Sequence, residues 1–207
     1  MKEASDLKQR TKSNATRLKI LEAARFELVN KGYAGFRISA VAELAGVSKG
    51  ALTHHFDSKN TLVTQVIDFI YKNDTERSNR LISKVNLTSD LFDCLIEDLK
   101  SFYLGENFKI SISLLSLEEV EPELHDVIKS VTRQYRIPVE EKWIEKIMEF
   151  SLTEEEAMKL LSMSQAMLRG IPLRLHLLND KGYINQILEE WKRVALLIYP
   201  ALNKKSE

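Results

Sequence analysis

Residues that turn a chain are scarce here, and they are unevenly placed. Four of the seven Gly (Gly32, Gly35, Gly46 and Gly50) lie between residues 32 and 50, and all four Pro follow residue 120. Gly and Pro punctuate hairpins and tight loops, so a chain of 207 residues with so few of them has little capacity for a sheet. No stretch shows the β-branched alternation and hairpin turns of paired strands. What remains is an all-α chain with short, sharply cornered helices at the front and long helices behind. About nine helices are expected, at 16–30, 38–44, 48–56, 58–85, 89–103, 107–119, 122–150, 153–178 and 183–199. Ile20, Ala24 and Leu28 give the first its apolar face, and Gly32 stops it. Thr153 and Glu156 have capping-box spacing, a specific start signal. Pro138 and Pro172 fall inside expected helices and call for a kink or a break.

The formal net charge of zero conceals an asymmetry. Residues 1–62 carry a balance of +5 and the remainder −5, so the front end is built to meet an anion. The longest stretch without a charged residue is ten long, too short for a membrane span. The first residues contain no apolar export segment, and the lone Cys94 permits no internal disulfide; a cytoplasmic location is expected. No Cys or His pair has zinc-site spacing, so no metal and no cofactor is expected. An enzyme is not expected either. Phosphate-binding Gly-rich loops, a nucleophile elbow and the Glu-x-x-His pairs of a di-iron bundle are all missing, and no cation lies near Cys94 in sequence to activate it.

The informative segment runs from residue 32 to residue 59 and reads as a helix-turn-helix. Ala42 is small where two helices must cross closely, and Gly46 can take the positive φ of a short corner. Ser48 can cap the second helix of the pair. Val47, Leu52 and Phe56 point back to a three-helix core. That leaves Lys49, Gly50, Thr53 and His54 on the opposite face, with the cationic, backbone-exposing and hydrogen-bonding character of a groove reader.

Across about residues 17–65 this pattern closely resembles the N-terminal DNA-binding domain of TetR-family transcriptional regulators, in a chain of the right length and helix content. The resemblance implies DNA contact by Arg37, Ser48, Lys49, Gly50, Thr53, His54, His55 and Lys59. Lys49, Thr53 and His54 would face bases or the nearest phosphates, while His55 and Lys59 would hold phosphate. Two positions depart from the common pattern: Arg37 stands where Thr usually caps the second helix, and Thr53 stands where Tyr is common. The expected division is a flexible basic arm at 1–14, a helix-turn-helix domain at 15–60, and a ligand-binding and dimerisation bundle at 61–203.

The resemblance implies a ligand-responsive regulator, most often a repressor, that binds a near-palindromic double-stranded operator as a homodimer. The alternative is a TetR-like protein controlled by a protein partner. A small apolar or amphipathic effector is expected, with Phe92, Phe102, Phe108, Ser111, Tyr135, Trp143, Met163 and Met167 as candidates for its pocket. Ser113, Ser162, Ser164 and Gln165, polar among apolar residues on helices expected to be mostly buried, would also need partners, which a ligand could supply. Ile184, Ile187, Leu188, Trp191, Val194 and Ile198 form an apolar stripe wider than a terminal helix needs for its own core, and are the expected dimer interface.

Overall fold

The computed structural model describes residues 2–87, 90–115, 121–178 and 182–203, and every regular element among them is helical. In chain order the helices are α1 (Lys2–Gly35), α2 (Ile38–Ala45), α3 (Lys49–His55), α4 (Lys59–Ile82), α5 (Leu91–Tyr103), α6 (Glu106–Leu115), α7 (Pro122–Val131), α8 (Ile137–Met148), α9 (Glu154–Leu178) and α10 (Gly182–Ile198). A π-helical turn, Thr132–Arg136, joins α7 to α8, so these two occupy the single expected helix at 122–150. The π turn has a local cause. Pro138 has no N–H to give the carbonyl of Gln134, and its ring crowds that carbonyl, so the helix widens here instead of stopping. Pro172 has a milder effect, since α9 continues through it.

The first helix is longer than expected. It begins at Lys2, so residues 2–14 are helical where a flexible arm was anticipated. That stretch has no Gly or Pro to break a helix, and Lys2, Glu3, Ala4, Leu7, Lys8, Gln9, Arg10 and Lys12 are good helix formers. The far end is where the sequence placed it: Gly32 sits at φ 62°, ψ 178° and breaks the helical path.

The chain forms two compact units. One comprises the chain to Tyr71 with Lys109–Val131, and the other comprises Lys72–Phe108 with the chain from Thr132. The expected boundary near residue 60 did not anticipate that residues 109–131 would join the front unit. A polar cluster inside that unit accounts for the attachment. The Tyr33 hydroxyl lies 2.7 Å from Asn60 Oδ1 and 2.8 Å from Glu121 Oε1, and the Asn60 amide donates to Glu121 Oε2 at 3.2 Å. Burial, the bond to Glu121 and its negative charge together push the Tyr33 phenol up to about 12. The apolar core of the unit is built from Ile20, Leu21, Ala24, Val41, Leu52, Phe56 and Ile67, all under 5% exposed.

The back unit is centred on Trp143 and Asp98, both fully buried. Asp98 accepts from the Trp143 indole at 2.8 Å and the Ser78 hydroxyl at 2.6 Å, and pairs with Arg77 at 3.1 Å. At the start of α9 the capping box is made in both directions: the Thr153 N–H donates to Glu156 Oε2 at 2.8 Å, and the Glu156 N–H donates to Thr153 Oγ1 at 3.3 Å. Replacing Thr153 with Ala should therefore cost about 1 kcal/mol in denaturant unfolding at unchanged m-value. No described helix is long and apolar enough to cross a membrane.

Candidate nucleic-acid interface

The corner between α2 and α3 is fixed by backbone chemistry. Gly46 follows α2 with φ 65° and ψ 36°, a conformation in which any side chain would be strained. Its N–H reaches the Glu43 carbonyl at 3.1 Å and the Val47 N–H reaches the Ala42 carbonyl at 3.0 Å, which satisfies the last carbonyls of α2. Ser48 then opens α3 by accepting the Ala51 N–H on its Oγ at 3.1 Å. Gly46, Val47 and Ser48 are thus the whole turn.

Leu52 and Phe56 lock α3 onto the core, being 0% and 2% exposed. With that face fixed, Ser48, Lys49, Gly50, Thr53 and His54 are all exposed on the other side. The Thr53 hydroxyl donates to the Gly50 carbonyl at 3.1 Å, which leaves its oxygen as an acceptor. The side chains that remain are an ammonium, an imidazole and a hydroxyl around a Gly that lets the backbone approach a partner closely. That set can hydrogen-bond base edges and phosphates in a major groove.

The remaining sequence candidates differ in how free they are. Arg37 is exposed at the N-cap of α2 and makes no capping bond, as expected for Arg in place of Thr. His55 is partly buried, with its ring 6.3 Å from that of Phe56. Lys59 is braced from within: its Nζ donates to the Tyr33 carbonyl at 2.7 Å and sits 3.8 Å from the centre of the Tyr33 ring. Arg17, among the basic residues of the front end, lies over the Phe56 ring at 5.6 Å and hydrogen-bonds Gln65. Lys59 and Arg17 therefore stiffen the mount of α3, a role that sequence spacing could not show.

Residues 20–66 match the family described as bacterial regulatory proteins, tetR family. The similarity extends well beyond this segment. Over 187 residues, 90% of this chain and 92% of the relative, the chain is 30% identical to CymR of Pseudomonas putida, an HTH-type transcriptional regulator. The chain belongs to the TetR family. It is a helix-turn-helix transcriptional regulator rather than an enzyme. Solved structures agree in fold. A protein from Saccharomonospora viridis described as a transcriptional regulator, solved with choline, superposes with a TM-score of 0.69 at 15% identity and covers 87% of this chain and 95% of its own. The regulator FadR of Bacillus subtilis, solved with stearoyl-CoA, gives a TM-score of 0.62 at 18% identity, covering 84% and 96%.

In this TetR-family chain the expected effector-pocket residues have different settings. Phe102 and Phe108 do meet, around Tyr103, with ring centres 5.0 Å and 4.9 Å from it in edge-to-face contact. Phe92 is buried beside a separate groove lined by Ile96, Lys100, Leu188 and Lys192. Trp143 is committed to Asp98, and the Tyr135 carbonyl accepts the Thr75 hydroxyl at 3.3 Å. Ser111 is buried in the front unit. Met163 is half exposed and Met167 partly buried. Arg136, a residue absent from the expected sites, is buried against Phe102. Its signal was an Arg in register with Leu124, Ile128, Val139 and Trp143, all on the buried face of their helices.

The expected dimer stripe also divides. Leu188 and Trp191 are each 8% exposed within the single chain, and the Trp191 indole donates to buried Ser164 at 2.8 Å. They belong to the chain's own core, and Ser164 finds its partner there. Ile184, Ile187 and Val194 are partly exposed, and Ile198 is 52% exposed. Along α9, Met163, Ala166, Gly170, Leu173 and Leu177 are all exposed and recur at alternating spacings of three and four residues.

Proposed function

We propose that this protein is a ligand-responsive repressor that grips a near-palindromic operator as a homodimer. The observation that carries the reading is the outward face of α3: every side chain of use to a groove reader is exposed, while Leu52 and Phe56 hold the helix rigidly from behind. Self-association is supported by the α9 stripe. A seam of apolar residues at three- and four-residue spacing, with Ala166 and Gly170 small enough for close approach, is a helix-pairing surface. Ile187, Val194, Leu197 and Ile198 of α10 extend the apolar surface available to a second copy. A two-fold pair presents two α3 helices to two half-sites.

Effector control is supported by the ligands held in the Saccharomonospora viridis and Bacillus subtilis structures. An effector acts by binding one arrangement of the two reading heads better than the other, and it weakens operator affinity by that difference alone. Helix α7 is well placed to carry such a change. Glu121, immediately before it, holds Tyr33 and Asn60 in the front unit, and its far end runs into the π turn. A second reading, control by a protein partner, draws on an open apolar groove of the front unit in which Leu18, Phe26 and Leu44 are each about half exposed.

Selection from a random duplex library tests the reading. An inverted repeat whose half-sites lie about one or two helical turns apart is expected. Recovery of a lone asymmetric half-site, or no enrichment, would contradict it. Purified protein that releases this duplex on adding small molecules supports effector control; release only on adding a protein would favour the partner reading.

A further inference from the structure

Arg136 is a buried guanidinium whose N–H groups find no acceptor among the described residues. It closes the π turn, is 2% exposed, and none of its Nε, Nη1 and Nη2 atoms has a hydrogen-bond partner among the described residues. A guanidinium presents five N–H donors in a planar fork, and burying such a charge unpaired is costly. Its surroundings are aromatic. The guanidinium carbon lies 4.1 Å from the centre of the Phe102 ring and 6.0 Å from that of Tyr103, with Phe108 edge-on to Tyr103. Ring faces tolerate a cation but offer its N–H groups no proper acceptor.

The acidic groups of this region are already engaged. Asp98 serves Ser78, Trp143 and Arg77. Asp74 is near enough to feel the charge of Arg136, yet it takes the Asn107 amide at 3.4 Å and pairs with Arg77 at 3.9 Å. Burial outweighs these partners and holds the Asp74 carboxyl above its ordinary range. A second idle donor belongs to the same neighbourhood. Gln165 is 5% exposed and accepts from Arg169 on its Oε1, and Arg169 also donates to the Tyr103 hydroxyl at 2.9 Å; the Gln165 Nε2 is buried and has no partner among the described residues.

We propose that Arg136 anchors the effector site, and that the effector is a small carboxylic acid with an apolar, ring-sized body. A planar monoanion matches one planar fork, taking two parallel N–H groups, and the Gln165 amide offers a further donor near Tyr103. The body of the acid lies among Phe102, Tyr103 and Phe108. The π turn gives the site its location, because this widened geometry, uncommon in helices and frequent at functional sites, carries Arg136 inward. This assignment rests on the ligand-responsive reading above and supplies its chemical class.

Calorimetry on the full chain decides the matter with benzoate, phenylacetate and octanoate as probes, each against its primary amide. At least one acid is expected to bind, with its amide roughly tenfold or more weaker, since the amide lacks the charge that the fork takes. Arg136→Met keeps the bulk and removes the unpaired charge, so it should melt at a higher temperature and bind acid as weakly as amide. Arg136→Lys keeps the charge without the fork and should fall between. No acid binding, no preference for acid over amide, or undiminished binding by Arg136→Met would overturn the site. Should the Met variant fail to fold, the acid–amide contrast in the unaltered protein still decides. An acid that binds through Arg136 yet leaves affinity for the selected duplex unchanged keeps the site and removes the ligand-responsive reading. Duplex release by neutral or cationic compounds alone, with every acid silent, does the reverse.

Discussion

Replacing Asp98 with Ala is expected to cost about 3–5 kcal/mol, because it leaves charged and polar partners around a buried vacancy. The carboxylate is fully buried and joins three helices. Ser78 and Arg77 come from α4, Trp143 from α8, and Asp98 itself from α5. Removing it strands the Trp143 indole N–H, at a further desolvation cost. A typical domain has a net stability of only about 5–15 kcal/mol, so the variant should lose its thermal transition or melt far below the unaltered protein. Asp98→Asn retains the shape and an acceptor and should lose less. Equal melting temperatures for Asp98→Ala and the unaltered protein would show that this cluster does not hold the back unit together.

The second large effect concerns self-association. Leu173 and Leu177 are 64% and 70% exposed on one face of α9 and contribute little to the chain's own core. Exchanging both for Glu places like charges opposite each other across the proposed two-fold contact while sparing the fold. Monomer is expected by light scattering, with the melting curve of the monomer retained. Affinity for a two-half-site duplex should fall by about 10²–10⁴, the avidity that linking two reading heads supplies. Trp191 is the wrong residue for this experiment. Its indole is bonded to Ser164 inside the chain, so a charge there would damage the fold itself. An unchanged dimer mass for the double-Glu variant would move the contact elsewhere.

The helices were legible wherever a local rule dominates. Gly46, Ser48 and Thr153 each perform in the structure the capping or turning task their residue type suits, over four or five residues of chain. The reading face of α3 was legible for the same reason: with Leu52 and Phe56 inward, geometry leaves Lys49, Thr53 and His54 outward. What stayed hidden depends on long-range pairing. Nothing near Tyr33 announces that its partner is Glu121, 88 residues on, and so the attachment of residues 109–131 to the front unit went unseen. Apolar periodicity likewise marks a stripe on α10 without telling which residues a neighbouring helix of the same chain will cover. Trp191 looked free for that reason, though it is 8% exposed and bonded to Ser164. Arg136 escaped because charged residues are usually solvated, and only the fold shows one enclosed by rings.

The most direct measurement is the salt dependence of duplex binding by the unaltered protein and by Lys49→Ala, followed by fluorescence anisotropy. The logarithm of the binding constant is expected to fall linearly with the logarithm of salt concentration, by about 0.9 per phosphate contacted. Lys49→Ala should weaken binding across all sequences and flatten the slope by about one if it grips phosphate. If it reads guanine instead, the loss should be about 1–3 kcal/mol and confined to one base position. Binding that ignores salt, or a Lys49→Ala variant indistinguishable from the unaltered protein on every duplex, would contradict the placement of α3 against DNA.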